Sequence, residues 1–153
     1  MAPRSVRITD LPTIKGEPLG PSEPVTVTQD MIDAFAEATG DHQWIHVDPE
    51  RAAQGPFGTT VAHGYLTLSL VPQLVQKLLH VEGVGMGVNY GLNRCRFPAP
   101  VPSGSGVVAT AQVRDVEERD DGGYQLTTEV TITVVGAERP SCVAETVARY
   151  YPA

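Results

Sequence analysis

The chain has 153 residues, 41% of them hydrophobic and 19% charged, and its 11 Lys and Arg against 18 Asp and Glu give a net charge of −7. That length suits one domain, spanning residues 1–153, that can bury a core without a disulfide or metal staple; the composition excludes a disordered tail, a collagen and a membrane protein. No run of Lys or Arg offsets the acidic balance, so neither nucleic acid nor an anionic membrane is expected as a partner, and a polyanionic ligand would need a local arginine cluster.

Residues 1–24 carry Pro3, Pro12, Pro18, Pro21 and Pro24 without a steady period and read as an irregular surface lead-in. They hold no hydrophobic signal segment, and no stretch reaches ~18 uninterrupted apolar residues. Cys95 and Cys142 lack the spacing of a metal knuckle and read as small core residues in a reducing compartment. A cytoplasmic setting follows.

Val25, Thr26 and Val27 predict a short strand, and Thr28 caps a helix that Gly40 stops. Asp48-Pro49 begins a second, short helix that ends near Gly55. From residue 63 to about 79 the apolar residues leave little polar face, so one long helix is expected, buried nearly all round. Pro72 inside such a helix would cost about 3 kcal/mol. Beyond Glu82 the pattern alternates. Val84, Met86, Val88, Tyr90 and Leu92 mark one face; Cys95 and Phe97 fall on the opposite parity, which predicts a bulge near Asn93. Val107 to Val113, Tyr124 to Val134 and Val143 to Tyr151 supply three more strands, with a hairpin turn at Asp120-Asp121-Gly122-Gly123. The expected class is α+β, a curved antiparallel sheet of five strands around a long central helix.

Chemistry concentrates in residues 39–49, between the first two helices, a loop placement where functional groups are common. Three readings compete there. His42 and His46 at i, i+4 could ligate a metal, but Gly40 and Pro49 bracket a segment too short for the helix that pairing needs. Asp41 and His46 could only brace a turn. Or a bend brings a carboxylate and an imidazole together as an acid/base pair.

Phe35, Gly40-Asp41, Ile45-His46 and Ala52, with Ala62-His63-Gly64-Tyr65-Leu66 and Phe97-Pro98-Ala99-Pro100-Val101 downstream, resemble the signature of the R-specific enoyl-CoA hydratases, also called hydratase 2 or MaoC-like dehydratases. Gln43-Trp44 stands where most hydratases have Asn-Pro, a variant that looks like an actinobacterial subgroup also resembling nodulation protein N. The resemblance implies a hot-dog fold. It also implies that Asp41 and His46 act on one water that adds to a trans-2-enoyl thioester, giving the (R)-3-hydroxyacyl product, or run the reverse dehydration. Gly64 maps to the backbone N–H that meets the charge on the thioester oxygen, although a glycine there could equally serve close helix–sheet packing. Neither cofactor nor metal is implied.

Weaker expectations attach to other residues. Gln43 could orient water or thioester, His63 could cap or order the donor loop, and Asn89 and Tyr90 could touch the thioester from the curved strand. Arg94 and Arg96, on one strand face, could bind coenzyme A phosphates or simply border solvent. His80 is expected at the end of the long helix, and Trp44 as an anchor in an apolar gap. An acyl-CoA thioester is the expected partner. Hot-dog sheets usually pair edge to edge, so a homodimer is expected too. A hot-dog thioesterase or a non-catalytic acyl-binding protein of the same fold are the alternatives, although residues 63–79 offer no carboxylate for the former.

Overall fold

The computed structural model describes residues 2–153. Alternating apolar residues on β6 (Gly106–Glu118), β7 (Tyr124–Val134) and β8 (Cys142–Pro152) turn Val107, Ala109, Leu126, Val130, Ile132 and Ala144 to one buried face. With β5 (Val84–Arg96), β2 (Pro18–Leu19) and β3 (Val25–Thr26) they form one antiparallel sheet, ordered β2-β6-β7-β8-β5, with β3 also on β6. The sheet thus has six strands where five were expected, because the lead-in adds β2. Helices α1 (Gln29–Thr39), α4 (Gly64–Ser69) and α5 (Val71–Gln76) lie against its buried face, sending Ile32, Leu66, Leu70, Val71 and Leu74 into the shared core. This is the hot-dog arrangement.

Two expectations need correction. The lead-in is not irregular surface. β1 (Arg4–Arg7) pairs in parallel with β4 (Leu79–Glu82), and a 3₁₀ segment (Ile8–Ile14) buries Ile8, Leu11 and Ile14. Its apolar residues follow no single period because three short elements share them, so pattern reading found none.

The long central helix is likewise two short ones. The chain breaks at Leu70, and Pro72 falls in the first turn of α5, where an N–H would have no partner anyway. Tyr65 at 71% exposed shows that the helical segment is not buried all round. The expected helix end at Leu79 instead starts β4 (Leu79–Glu82), so His80, expected just after a helix, lies on a strand opposite Ser5.

The bulge near Asn93 is present as a register shift between Leu92 and Arg94, and two further shifts bend β5. No helix among the described residues is long and apolar enough to cross a membrane. Cys95 lies opposite Ala144 on β8, two residues from Cys142, and both thiols are free. Burial, with Cys95 alongside, pushes the Cys142 thiol up to about 12, which keeps it protonated and unreactive.

Candidate active site

Thr28 caps α1 by accepting from the Met31 N–H at 3.2 Å, and Gly40, at φ 82°, ends it with its own N–H on the Ala36 carbonyl. That left-handed glycine turns the chain out of the helix and delivers Asp41. The Asp41 carboxylate accepts from the Gln43 N–H at 3.3 Å, closing a short turn into the single-turn helix α2 (Trp44–Val47). Asp48 then caps α3 (Pro49–Ala53) through the Arg51 N–H. Trp44 is fixed between the Arg51 guanidinium, 4.4 Å over its ring, and Gly55, where a Cβ would collide with the indole. The bend that was expected between two helices is therefore built by caps and turns.

His46 is 6% exposed, with Nδ1 2.7 Å from the Val61 carbonyl. A carbonyl can only accept, so Nδ1 carries the hydrogen, and in the neutral ring Nε2 keeps the basic lone pair. The backbone around it is strapped in place. Gln29 Nε2 donates to the His46 carbonyl at 2.8 Å, Thr60 donates to Gln29 Oε1 at 2.6 Å, and the Val61 N–H donates to the Ile45 carbonyl.

His63, 2% exposed, donates from Nε2 to the Asp41 carbonyl at 2.9 Å. Its ring stacks on His46 with centroids 3.8 Å apart and planes 23° apart, and tilts against Phe35 at 4.8 Å. His63 Nδ1 is buried without a hydrogen-bond partner among the described residues, a state that ordinarily costs about 1–3 kcal/mol.

Polar atoms of Asp41, His46 and His63 lie within 4.8 Å of one another. Three such residues could suggest a metal, but ring lone pairs point in the ring plane, and two nearly parallel rings do not converge on one ion at ~2.0–2.1 Å. His42 does not join His46; its Nε2 turns to Glu37 at 3.6 Å. The arrangement suits proton transfer: an accessible carboxylate beside an imidazole of fixed tautomer.

Gly64 opens α4, immediately after His63, so the free amides of the first turn lie beside the stacked rings. A Cβ on Gly64 would sit 2.9 Å from the Phe97 ring, which gives the glycine a packing reason independent of any substrate. From there α4 leads into a cavity of about 510 Å³ between the helices and the sheet, walled by Leu68, Val71, Val75, Leu126 and Thr128 among others. Leu68 is four residues from Gly64, so the cavity begins roughly 6 Å along the helix from the amide end.

The other sequence-derived residues are spread more widely. Gln43 occupies the N-cap position of α2, where its exposed side chain makes no capping hydrogen bond. Asn89 lies opposite Ala148 in the sheet and borders the cavity. Tyr90 stacks its ring 3.5 Å beneath the Arg149 guanidinium, which also donates to Gln125. Arg94 and Arg96 are exposed on β5, on the face opposite Cys95; Arg96 donates to the Cys95 carbonyl, and Arg94 faces Glu145, whose carboxylate accepts from Asn93. Sequence reading missed Gln29, Thr60 and Val61. Only Gln29 and Thr60 carry side-chain polarity that could have marked them, and a backbone carbonyl such as Val61's leaves no trace in the sequence.

The MaoC like domain matches residues 10–135. The chain is 54% identical over 143 residues to the 3-hydroxyacyl-thioester dehydratase Z of Mycobacterium tuberculosis, covering 94% of this chain and 95% of that protein. It is 44% identical over 139 residues to nodulation protein N of Rhizobium leguminosarum bv. viciae, covering 90% and 86%. Among solved structures, the (R)-hydratase from A. caviae involved in PHA biosynthesis superposes with a TM-score of 0.64 at 27% identity, over 85% of this chain and 96% of that one. The chain therefore belongs to the MaoC-like dehydratase family, lyases built here on a hot-dog fold.

Proposed function

We propose that the protein hydrates trans-2-enoyl-CoA to (R)-3-hydroxyacyl-CoA, or catalyses the reverse dehydration, with Asp41 and His46 acting on one water. The observation that carries this reading is the His46 tautomer: the Val61 carbonyl holds Nδ1–H, leaving Nε2 free as a base beside the Asp41 carboxylate. In the hydration direction the Asp41 carboxylate accepts a hydrogen bond from one O–H of the water, and that hydrogen stays on the oxygen that becomes the product hydroxyl. His46 Nε2 takes the other proton as the oxygen bonds to C3, and the imidazolium returns a proton to C2. No net proton is gained or lost. Delivery of hydroxyl and proton from one cluster makes the addition syn. The Gly64 amide at the start of α4 meets the charge that develops on the thioester oxygen.

The acyl chain runs beside α4 into the 510 Å³ cavity, with Asn89 on its wall. Gln43, at the rim, helps orient the water or thioester. Two copies pair through β5, whose Met86, Val88, Tyr90 and Leu92 are exposed on a strand with one neighbour. Arg94 and Arg96 on that strand supply the positive pair for coenzyme A phosphates. The dehydratase named among the relatives and the (R)-hydratase among the solved structures support this substrate class, and a cytoplasmic setting suits it.

The test is loss of enoyl absorbance with crotonyl-CoA, followed by chiral analysis of the product. The reading requires (R)-3-hydroxybutyryl-CoA. Release of free thiol instead would make the protein a thioesterase, and tight binding with no absorbance change would make it a non-catalytic binder; an (S) product would remove the proposed stereochemistry.

A further inference from the structure

The acid/base reading leaves His63 without a task, yet its ring touches every part of the site. Nε2 donates to the Asp41 carbonyl at 2.9 Å, the ring face lies 3.8 Å from that of His46, and the next residue opens α4. Phe35 backs the ring from α1. At 2% exposed, His63 is no surface contact for substrate, and its Nδ1 is closed off from solvent with no hydrogen-bond partner.

Chemistry restricts what such a ring can be. The Asp41 carbonyl accepts only, so Nε2 carries a hydrogen. A second hydrogen on Nδ1 would be a buried charged donor with nothing to receive it, whereas a bare Nδ1 leaves only an unused lone pair. The geometry therefore accommodates the neutral Nε2–H form. Stacking points the same way: two imidazolium rings at 3.8 Å repel, while the face of a neutral ring attracts a cation.

We infer that His63 is a positioning residue for the reaction proposed above. Its Nε2–H fixes the backbone of Asp41, and its neutral ring face holds His46 in plane and supports it while it is an imidazolium. One side chain thus ties the carboxylate, the base and the amide end of α4 into a single geometry. The inference rests on the acid/base reading for its catalytic part and on hydrogen-bond chemistry for the rest. It also explains why a histidine occupies this place. Phenylalanine would stack without holding Asp41, and glutamine could reach the carbonyl without offering a ring.

The test uses the full chain labelled with ¹⁵N-histidine, together with His63→Gln and His63→Phe. In the wild type at neutral pH, nitrogen shifts should show the Nε2–H tautomer for His63 and the Nδ1–H tautomer for His46. Both variants should lower kcat for crotonyl-CoA by roughly tenfold or more while KM stays within about twofold. His46 should pass from one tautomer to a mixture in His63→Gln, which removes the ring face, and keep its tautomer in His63→Phe, which retains the stack. A merely structural role would leave the His46 signals unchanged in His63→Gln too. A protonated Nδ1 on wild-type His63 overturns the inference, as do wild-type kcat and an unchanged His46 spectrum in both variants. If neither variant folds, the wild-type tautomers decide. A wild type that hydrates no enoyl-CoA brings down the acid/base reading and the catalytic part with it, while the spectra still decide the tautomers of the stacked rings.

Discussion

At the scale of single residues, the proposed mechanism requires two groups to keep their chemistry while the scaffold keeps its shape. Asp41→Asn preserves the acceptor for the Gln43 N–H but loses the charge; His46→Gln can still reach the Val61 carbonyl but loses the basic nitrogen. Each should lower kcat for crotonyl-CoA hydration by at least roughly 10²-fold, with a melting temperature close to wild type by calorimetry. Near-normal turnover in either folded variant would remove that residue from the chemistry. Gly64 separates two explanations that sequence could not. Gly64→Ala places a methyl against Phe97 at 2.9 Å, an overpacking that typically costs about 1–3 kcal/mol. In a Phe97→Ala background that clash is gone. Stability should then recover, and activity should recover with it if the glycine serves packing alone; a persistent kcat loss in the double variant assigns the position to substrate approach. That Asp41 and His46 lie side by side was legible because a bend between a Gly stop and a Pro start can bring a carboxylate and an imidazole to one side. The tautomer of His46 was not legible, since it depends on a carbonyl that any residue at position 61 would supply.

The elements show where periodicity informs and where it misleads. β6 alternates from Val107 to Val113, and β7 and β8 alternate over part of their length, because one face of each meets the core, and they form the strands that alternation predicts. The segment after His63 is apolar on nearly every turn, and an unbroken apolar run does not reveal where a helix stops. Here it spans two helices and the start of a strand. The lead-in failed for the opposite reason: strand, 3₁₀ segment and strand follow within residues 4–19, too short for any period to register. The helix break carries a prediction of its own. Were Pro72 in a helix interior, replacing it with alanine would stabilise the protein by about 3 kcal/mol. In the first turn of α5 its missing N–H costs no ladder bond and its fixed φ suits the position, so Pro72→Ala should change unfolding free energy in urea by less than about 1 kcal/mol. A gain near the larger figure would mean that α4 and α5 act as one helix in solution.

For the molecule as a whole, the open side of the sheet sets the remaining constraint. β5 runs for 13 residues with β8 on one side and, among the described residues, no strand on the other, and it exposes Met86, Val88, Tyr90 and Leu92 along its length. A long, apolar, unprotected edge invites pairing, and natural edges are usually blunted by charge, proline or a bulge. Bulges bend β5 at three places, but its charges, Arg94 and Arg96, are confined to the end near Phe97, leaving the stretch from Val84 to Leu92 bare of charge. Tyr65 at the start of α4 and Phe97 after β5 extend the exposed apolar surface toward the amide end of that helix, so a second copy seated on β5 would also shelter the entrance to the acid/base cluster. Size and activity should therefore be coupled. The wild type should sediment at twice its 16.3 kDa, and Met86→Lys, which sets a charge in the bare stretch at an exposed position, should shift it toward the monomer. Because Met86 is not part of the cavity wall, hydration activity should fall at protein concentrations where the variant is monomeric and return as concentration drives pairing. A monomeric wild type would break this coupling at its first step, and a fully active monomeric variant would show that one copy completes the site alone.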